Sequence, residues 1–149
     1  MKLGDALGQR AECEARLEDL KKRLVRNACL PEGEPPAEDP QGLLDDVDRT
    51  ALRLVELVQT IRRTTTATRF DEGSLADAMA ERDVLGRKRD LLIVVADAAT
   101  ADQHVGRPEV RMLPAIQVGR IHRHVDQLSK RYREIDARIQ ELSWRTDVM

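Results

Sequence analysis

The sequence predicts an all-α fold, an antiparallel bundle of four long helices with coiled-coil-like packing. In four stretches of the 149-residue chain, apolar residues recur at alternating three- and four-residue steps, the spacing of one stripe on an α-helix. Charged residues make up 35% of the chain and aromatic residues only 2%. A core built from Leu, Ile, Val and Ala suits helix–helix packing, and this composition is typical of long helices.

The clearest of the four stretches is the last, for which we predict a helix over residues 115–144. Its apolar positions form an unbroken series: Val118, Ile121, Val125, Leu128, Tyr132, Ile135, Ile139 and Leu142. A helix with one such stripe must bury it against another helix. The series therefore predicts how the protein is built, and it indicates no chemistry.

The first helix is predicted over residues 2–28 and ends at a breaker-rich loop. Its stripe consists of Leu3, Ala6, Arg10, Cys13, Leu17, Leu20 and Leu24. The loop over residues 30–40 contains four prolines, which exclude regular helix. Positions 31–48 include seven acidic residues and no basic one, so we expect the loop to be extended and solvated.

The second and third helices are predicted over residues 41–68 and 75–103. On the second helix, the main stripe is predicted to be Leu44, Val47, Ala51, Leu54, Val58, Ile61 and Thr65, and a second line beside it is Leu43, Thr50, Leu57 and Thr64. The third helix carries Leu75, Ala78, Arg82, Leu85, Arg89, Leu92, Ala96 and Ala99, widened by Met79 and Ile93. Ser74 and Asp77 have the spacing of a helix N-cap with a capping-box acid.

A chain of this length predicts a single helical domain over residues 1–149. Helices of this size would be about 40 Å long, which is long for a compact domain. They could close into a monomeric bundle or complete their core in a symmetric oligomer. The spare apolar lines on the second and third helices favour the oligomer.

Segments along the whole chain resemble the septicolysin-like family of small bacterial proteins. The similar segments are Met1–Leu7, Arg26–Ala28, Glu32–Glu34, Glu38–Pro40, Ser74–Ala78, Glu81–Asp83, Arg131–Asp136 and Ile139–Asp147. The last of these, Ile-Gln-Glu-Leu-Ser-Trp-Arg-Thr-Asp, is the most specific. The chain departs from the family at Ser143 (usually Asn), at Ser74 (usually Thr) and in the Thr64–Thr68 region, where the family has Asn.

The resemblance implies a mostly helical fold and little about activity. The family's label suggests a pore-forming toxin, which we do not expect for this chain. It shows no secretion signal, no apolar segment of membrane length and no aromatic-rich loop for membrane contact.

Three arginines, Arg10, Arg82 and Arg89, occupy stripe positions that are otherwise apolar. A buried arginine is costly unless a carboxylate pairs with it. One hypothesis is an anion-binding site inside the bundle. The alternative, which we favour, is a structural ion pair with Asp5, Asp77 or Glu14, or a side chain whose charged end reaches water.

The predictions for the fourth helix concern its histidines and its basic residues. His122 and Asp126 share a helix face while His124 points elsewhere, so we predict solvated histidines and no metal site. Lys130, Arg131 and Arg133 form a basic cluster, but no series of interleaved aromatics supports base stacking, which disfavours nucleic-acid binding.

Candidate interaction residues lie on the fourth helix and at its end. Trp144, with Leu142, is a candidate docking anchor, and Tyr132 on the stripe is a third. Packing against the chain's own helices is the favoured alternative for the tryptophan.

The sequence predicts a structural or protein-interaction protein of the bacterial cytoplasm that self-associates. No nucleophile–base pair, phosphate-binding glycine loop or Cys-x-x-Cys appears, so we lean against an enzyme and expect no cofactor and no membrane contact. Two cysteines without a disulfide framework are typical of reduced thiols in the cytoplasm. An anion-binding or enzymatic bundle using the three arginines is the alternative, and nucleic-acid binding through the fourth helix is a weaker one.

Overall fold

The structure, a computed structural model, describes residues 1–100 and 110–149. Within these ranges it contains helices α1 (Leu3–Asn27), α2 (Pro40–Ala67), α3 (Leu75–Thr100) and α4 (Val118–Arg145). The described strands are β1 (Arg69–Phe70) and β2 (Gly73–Ser74), which pair as a two-stranded sheet. The prediction of an all-α protein is confirmed. The expected end of the third helix at Gln103 lies outside the described residues.

By their internal contacts, the described residues group into two compact units. The first contains Met1–Arg69 and Leu142–Met149, and the second contains Phe70–Glu141. Helix α4 therefore contributes its last turn to the first unit. The single domain expected over residues 1–149 stays a prediction.

In the first unit, α1 and α2 form an antiparallel pair. Polar contacts join Gln9 to Arg53, Arg16 to Asp46 and Arg23 to Glu38. As the residue number rises along α1, the number of its partner falls, which is the pattern of two antiparallel segments. The α2 helix begins at Pro40 because the preceding residue caps it. The Asp39 carboxylate accepts hydrogen bonds from the N–H groups of Gln41 and Gly42, and Pro40 has no N–H that needs an acceptor.

The core of the first unit corrects one prediction for α2. Its buried side chains belong to the line of Leu43, Thr50, Leu57 and Thr64, together with Ile61 and Thr65. Leu44 and Val58, from the line predicted to be the main stripe, are exposed. Both lines have helical spacing and lie side by side, so periodicity alone could not decide which of them faces α1.

The two ends of the described chain meet in the first unit. Leu3 donates its N–H to the Thr146 carbonyl, and Val148 donates to the Met1 carbonyl. The Lys2 ammonium lies 2.9 Å from the Asp147 carboxylate and lowers the pKa of that acid by hydrogen bonding and charge. These contacts hold the last residues against the start of α1.

In the second unit, the predicted cap of α3 is confirmed. The Asp77 carboxylate accepts hydrogen bonds from the N–H and the hydroxyl of Ser74 at 2.9 and 2.7 Å. The Ser74 hydroxyl in turn accepts from the Asp77 N–H at 3.2 Å. This reciprocal pair satisfies backbone donors that a helix start leaves free, so α3 begins directly after the hairpin.

The apolar series of the fourth helix is confirmed as its inner face. Leu128, Ile135 and Ile139 are buried, and the other members of the series are half-buried. The helix begins later than expected, at Val118, because the Gln117 carbonyl is the acceptor for the first helical N–H groups, those of Arg120 and Ile121. None of the described helices is long and apolar enough to cross a membrane.

Candidate functional site

Arg82 of α3 is the most buried of the three predicted arginines, with 16% of its side chain exposed. Its guanidinium lies 2.9 Å from the Asp136 carboxylate of α4 and 3.0 Å from that of Asp83. Burial disfavours the charge, but the hydrogen bonds to Asp83 and Asp136 outweigh it and raise the pKa of Arg82 above its ordinary value. Arg82 therefore acts as a structural ion-pair residue in this unit.

Arg89, two turns further along α3, has a different set of contacts. It pairs with Asp90 at 3.0 Å and lies over the Tyr132 ring, with its guanidinium carbon 4.8 Å from the ring centre. A cation over an aromatic face is a favourable contact. Tyr132, one of the predicted interaction residues, is half-buried here and also lies against Gly86.

Arg10 belongs to the first unit, whereas Arg82 and Arg89 belong to the second. It lies 3.6 Å from Glu14, one of the carboxylates anticipated for it, and 39% of its side chain is exposed. Its Nε is buried without a hydrogen-bond partner among the described groups. The anion-binding role of the three arginines stays a prediction. Where Arg82 and Arg89 are concerned, an anion would have to compete with carboxylates already in contact.

A cleft of about 170 Å³ lies in the second unit beside the β1–β2 hairpin. Arg138 of α4 binds the Asp71 carboxylate with two N–H groups and lies over the Phe70 ring. The hydrogen bonds from Arg138 lower the pKa of Asp71. Arg131 pairs with Glu81 across the same cleft at 3.1 Å. Each cation is thus matched by an acid, and the pairs join the hairpin and α3 to α4.

The basic face of α4 extends beyond this cleft. Arg120, Arg123 and His124 line an open hollow of about 470 Å³, and Lys130 and Arg133 are exposed. Among the described residues, no group of three or more His, Cys, Asp or Glu side chains is placed to hold a metal ion. Nucleic-acid binding through this face stays the weaker alternative.

Trp144 and Leu142 lie in the part of α4 that belongs to the first unit. The indole ring covers Gly4 of α1 so closely that an added Cβ would lie 2.7 Å from it. Trp144 is nevertheless 56% exposed, and Leu142 is half-buried. The ring therefore packs on α1 with one part and leaves the remainder accessible.

Two exposed lines of residues stand out on the outer faces of α2 and α3. We call them the α2 line (Leu44, Asp48, Ala51, Val55 and Val58) and the α3 line (Val84, Lys88, Leu91, Val95 and Ala98). Ala51 is half-buried, and every other member is exposed, Leu91 by 61%. The sequence reasoning recognised spare apolar positions on α2 and α3. It missed the α3 line itself, whose heptad spacing was the available signal.

These features define the class of the molecule as a mostly helical protein with charge-paired interior arginines and exposed apolar lines. Residues 10–148 match a family model described as "Family of unknown function (DUF6847)", and the chain belongs to this family. No curated protein matches the chain.

A solved structure also resembles the chain. It is described as the crystal structure of a functionally unknown conserved protein from Corynebacterium diphtheriae, with 34% sequence identity and a TM-score of 0.82. The match covers 100% of this chain and 99% of the other. The similarity extends over both compact units.

Proposed function

We propose that the protein is a structural or interaction protein of the bacterial cytoplasm that works by self-association. The observation that carries this proposal is the pair of exposed apolar lines on α2 and α3. Contiguous apolar residues on a soluble surface are typical of protein–protein contacts. The proposal includes a bundle of antiparallel, coiled-coil-like helices, which the antiparallel α1–α2 pair supports.

The opposite faces of α3 explain why a second contact is needed. One face carries the buried residues Leu75, Ala78 and Ala96. The other carries Val84, Leu91 and Val95, which remain exposed. A helix that is apolar on two opposite sides needs neighbours on both, and a second copy of the chain would supply the missing one.

The conformational cost of such a contact is small because both helices are already folded in the single chain. Five positions at alternating four- and three-residue steps extend over about 21 Å of helix. A segment that had to fold on binding would offset part of the association energy by its ordering cost. Helices held by their own cores largely avoid that cost.

Light scattering coupled to gel filtration tests this proposal over a range of micromolar concentrations. We expect the wild-type mass to exceed that of one chain, and Leu91→Glu to reduce it to one chain, because a charge would then lie in the apolar contact. Val25→Glu is the matched control, since Val25 is an exposed valine of α1 outside both lines. A wild-type mass equal to one chain at every concentration would contradict the proposal.

We also propose that the chain is related to the septicolysin-like family, on the similarity of segments such as Ile139–Asp147. The proposal uses none of the pore-forming activity that the family label suggests. Self-association through the α2 and α3 lines requires only helix–helix contacts.

A further inference from the structure

We infer that the α2 line of one copy packs in parallel against the α3 line of a second copy, with Asp48 opposite Lys88. This inference rests on the proposed function and names the two surfaces that meet. Its basis is a position-by-position match between the two lines, in spacing and in residue type.

The spacing of the two lines is identical. The α2 line occupies positions 44, 48, 51, 55 and 58, and the α3 line occupies positions 84, 88, 91, 95 and 98. Both lines follow steps of four, three, four and three residues. Two helices with this repeat pack side by side along a shared seam when they supercoil gently.

The residue types are complementary at every level of the seam. With the helices parallel and in register, Leu44 faces Val84, Ala51 faces Leu91, and Val55 faces Val95. The second level brings Asp48 against Lys88, the one charged position of each line. Both charged side chains are exposed in the single chain, and neither has an ion pair among the described residues.

The charged level also selects this arrangement over others. Parallel pairing of two α3 lines would place Lys88 of one chain against Lys88 of the other. Parallel pairing of two α2 lines would likewise place Asp48 against Asp48. Antiparallel pairing of α2 with α3 would place each charge against a valine, Asp48 on Val95 and Lys88 on Val55. Charges placed in a contact without a partner are costly, so a single polar position often fixes register and partner.

Side chains next to the seam agree with the same arrangement. Leu52 and Val94, both exposed, flank their lines on the sides that a parallel pairing would bring together. The pair would thereby cover two further apolar side chains that the single chain leaves in water. This extends the apolar contact beyond the five levels of the seam.

Charge exchange tests the pairing. We expect Asp48→Lys and Lys88→Asp each to weaken self-association roughly tenfold or more, because like charges then meet in the contact. The double variant D48K/K88D should recover the wild-type affinity. Sedimentation equilibrium measures the affinity of each variant, and circular dichroism confirms unchanged helical content.

Mixing the two single variants identifies contacts between copies. In a reciprocal pair of chains, the α2–α3 contact occurs twice. In a mixed pair, the lysine introduced by D48K on one chain would face the aspartate introduced by K88D on the other at one of these contacts. The second contact of that pair would keep the wild-type residues Asp48 and Lys88, so the mixture should associate far more tightly than either variant alone. A pairing within one chain would give no such recovery. Glu34→Lys and Lys22→Glu are control reversals at exposed positions outside both lines.

The outcomes separate this inference from the proposed function. If the wild type self-associates and neither single reversal weakens it, the pairing is wrong and self-association stands. If the double variant or the mixture fails to recover affinity, the Asp48–Lys88 contact is likewise wrong. A wild type that stays a single chain overturns the proposed function, and the pairing with it.

Discussion

Gly4 and Gly8 lie on the same helix, one turn apart, in very different surroundings. An added Cβ at Gly4 would lie 2.7 Å from the Trp144 indole, whereas at Gly8 it would meet nothing within 4 Å. Glycine normally weakens a helix relative to alanine. At Gly4 the absence of a side chain is what allows the indole to lie directly on α1.

We expect Gly8→Ala to stabilise the protein by roughly 0.5–1 kcal/mol, because alanine favours the helix at an open position. Gly4→Ala should instead destabilise by about 1 kcal/mol, since a clash of roughly 1–3 kcal/mol exceeds the gain in helix propensity. Chemical denaturation followed by circular dichroism measures both changes. If the two alanine variants were equally stable, Trp144 would not be packed on Gly4 in solution.

The interior arginines show how far single residues can be read from a sequence. Periodicity placed Arg82 and Arg89 on the inner face of α3, and both side chains are largely buried there, with exposed fractions of 16% and 26%. Their partners were not predictable in the same way. Asp136 is distant in sequence from Arg82, so only the packing of α4 against α3 reveals that pair.

At the scale of elements, the capping box of α3 makes the start of that helix sensitive to two side chains. We expect Ser74→Ala to destabilise the protein by about 0.5–2 kcal/mol, the usual cost of a lost N-cap. Ser74→Thr is the matched control, because threonine keeps a hydroxyl that can cap the helix. Thermal denaturation of the two variants measures the difference. Equal losses for alanine and threonine would show that the hydroxyl is not the stabilising group.

The same cap predicts a dependence on pH. Hydrogen bonds from the Ser74 hydroxyl and N–H lower the pKa of Asp77 below its ordinary value. The folded state therefore favours the ionised carboxylate. Its stabilising effect is present above the unfolded pKa, at about 4, and is lost as the pH falls through the lower folded pKa.

Asp77→Asn removes this titration. We expect the stability gap between wild type and D77N to be widest near neutral pH and to narrow as the pH falls below about 4. Denaturant titrations of both proteins at several pH values test the trend. A gap that stays constant with pH would mean that the Asp77 charge does not stabilise the start of α3.

At the scale of the whole molecule, the buried face of a helix and its exposed line should respond differently to the same kind of change. We expect Ile135→Ala to destabilise the fold by about 2–5 kcal/mol, because Ile135 is buried and its loss leaves a cavity. Leu91→Ala should change the stability of a dilute, single chain by no more than about 0.5 kcal/mol, since Leu91 is exposed.

The two variants should show the reverse order in assembly. Leu91→Ala is expected to weaken self-association, whereas Ile135→Ala, while still folded, should leave it intact. Denaturation at low concentration and sedimentation at high concentration provide the two measurements. A large loss of single-chain stability in L91A would show that the α3 line is covered within one chain.

The sequence by itself determined the helices and most of their inner faces. The series from Val118 to Leu142, the inner positions of α3 and the Ser74–Asp77 cap follow from local spacing, because helical periodicity and capping involve residues close together along the chain. Tertiary structure decided which of two adjacent apolar lines on α2 is buried, which carboxylate meets Arg82, and that the indole of Trp144 lies on Gly4. These contacts join residues far apart in sequence, so their identity depends on how the helices pack rather than on any local pattern.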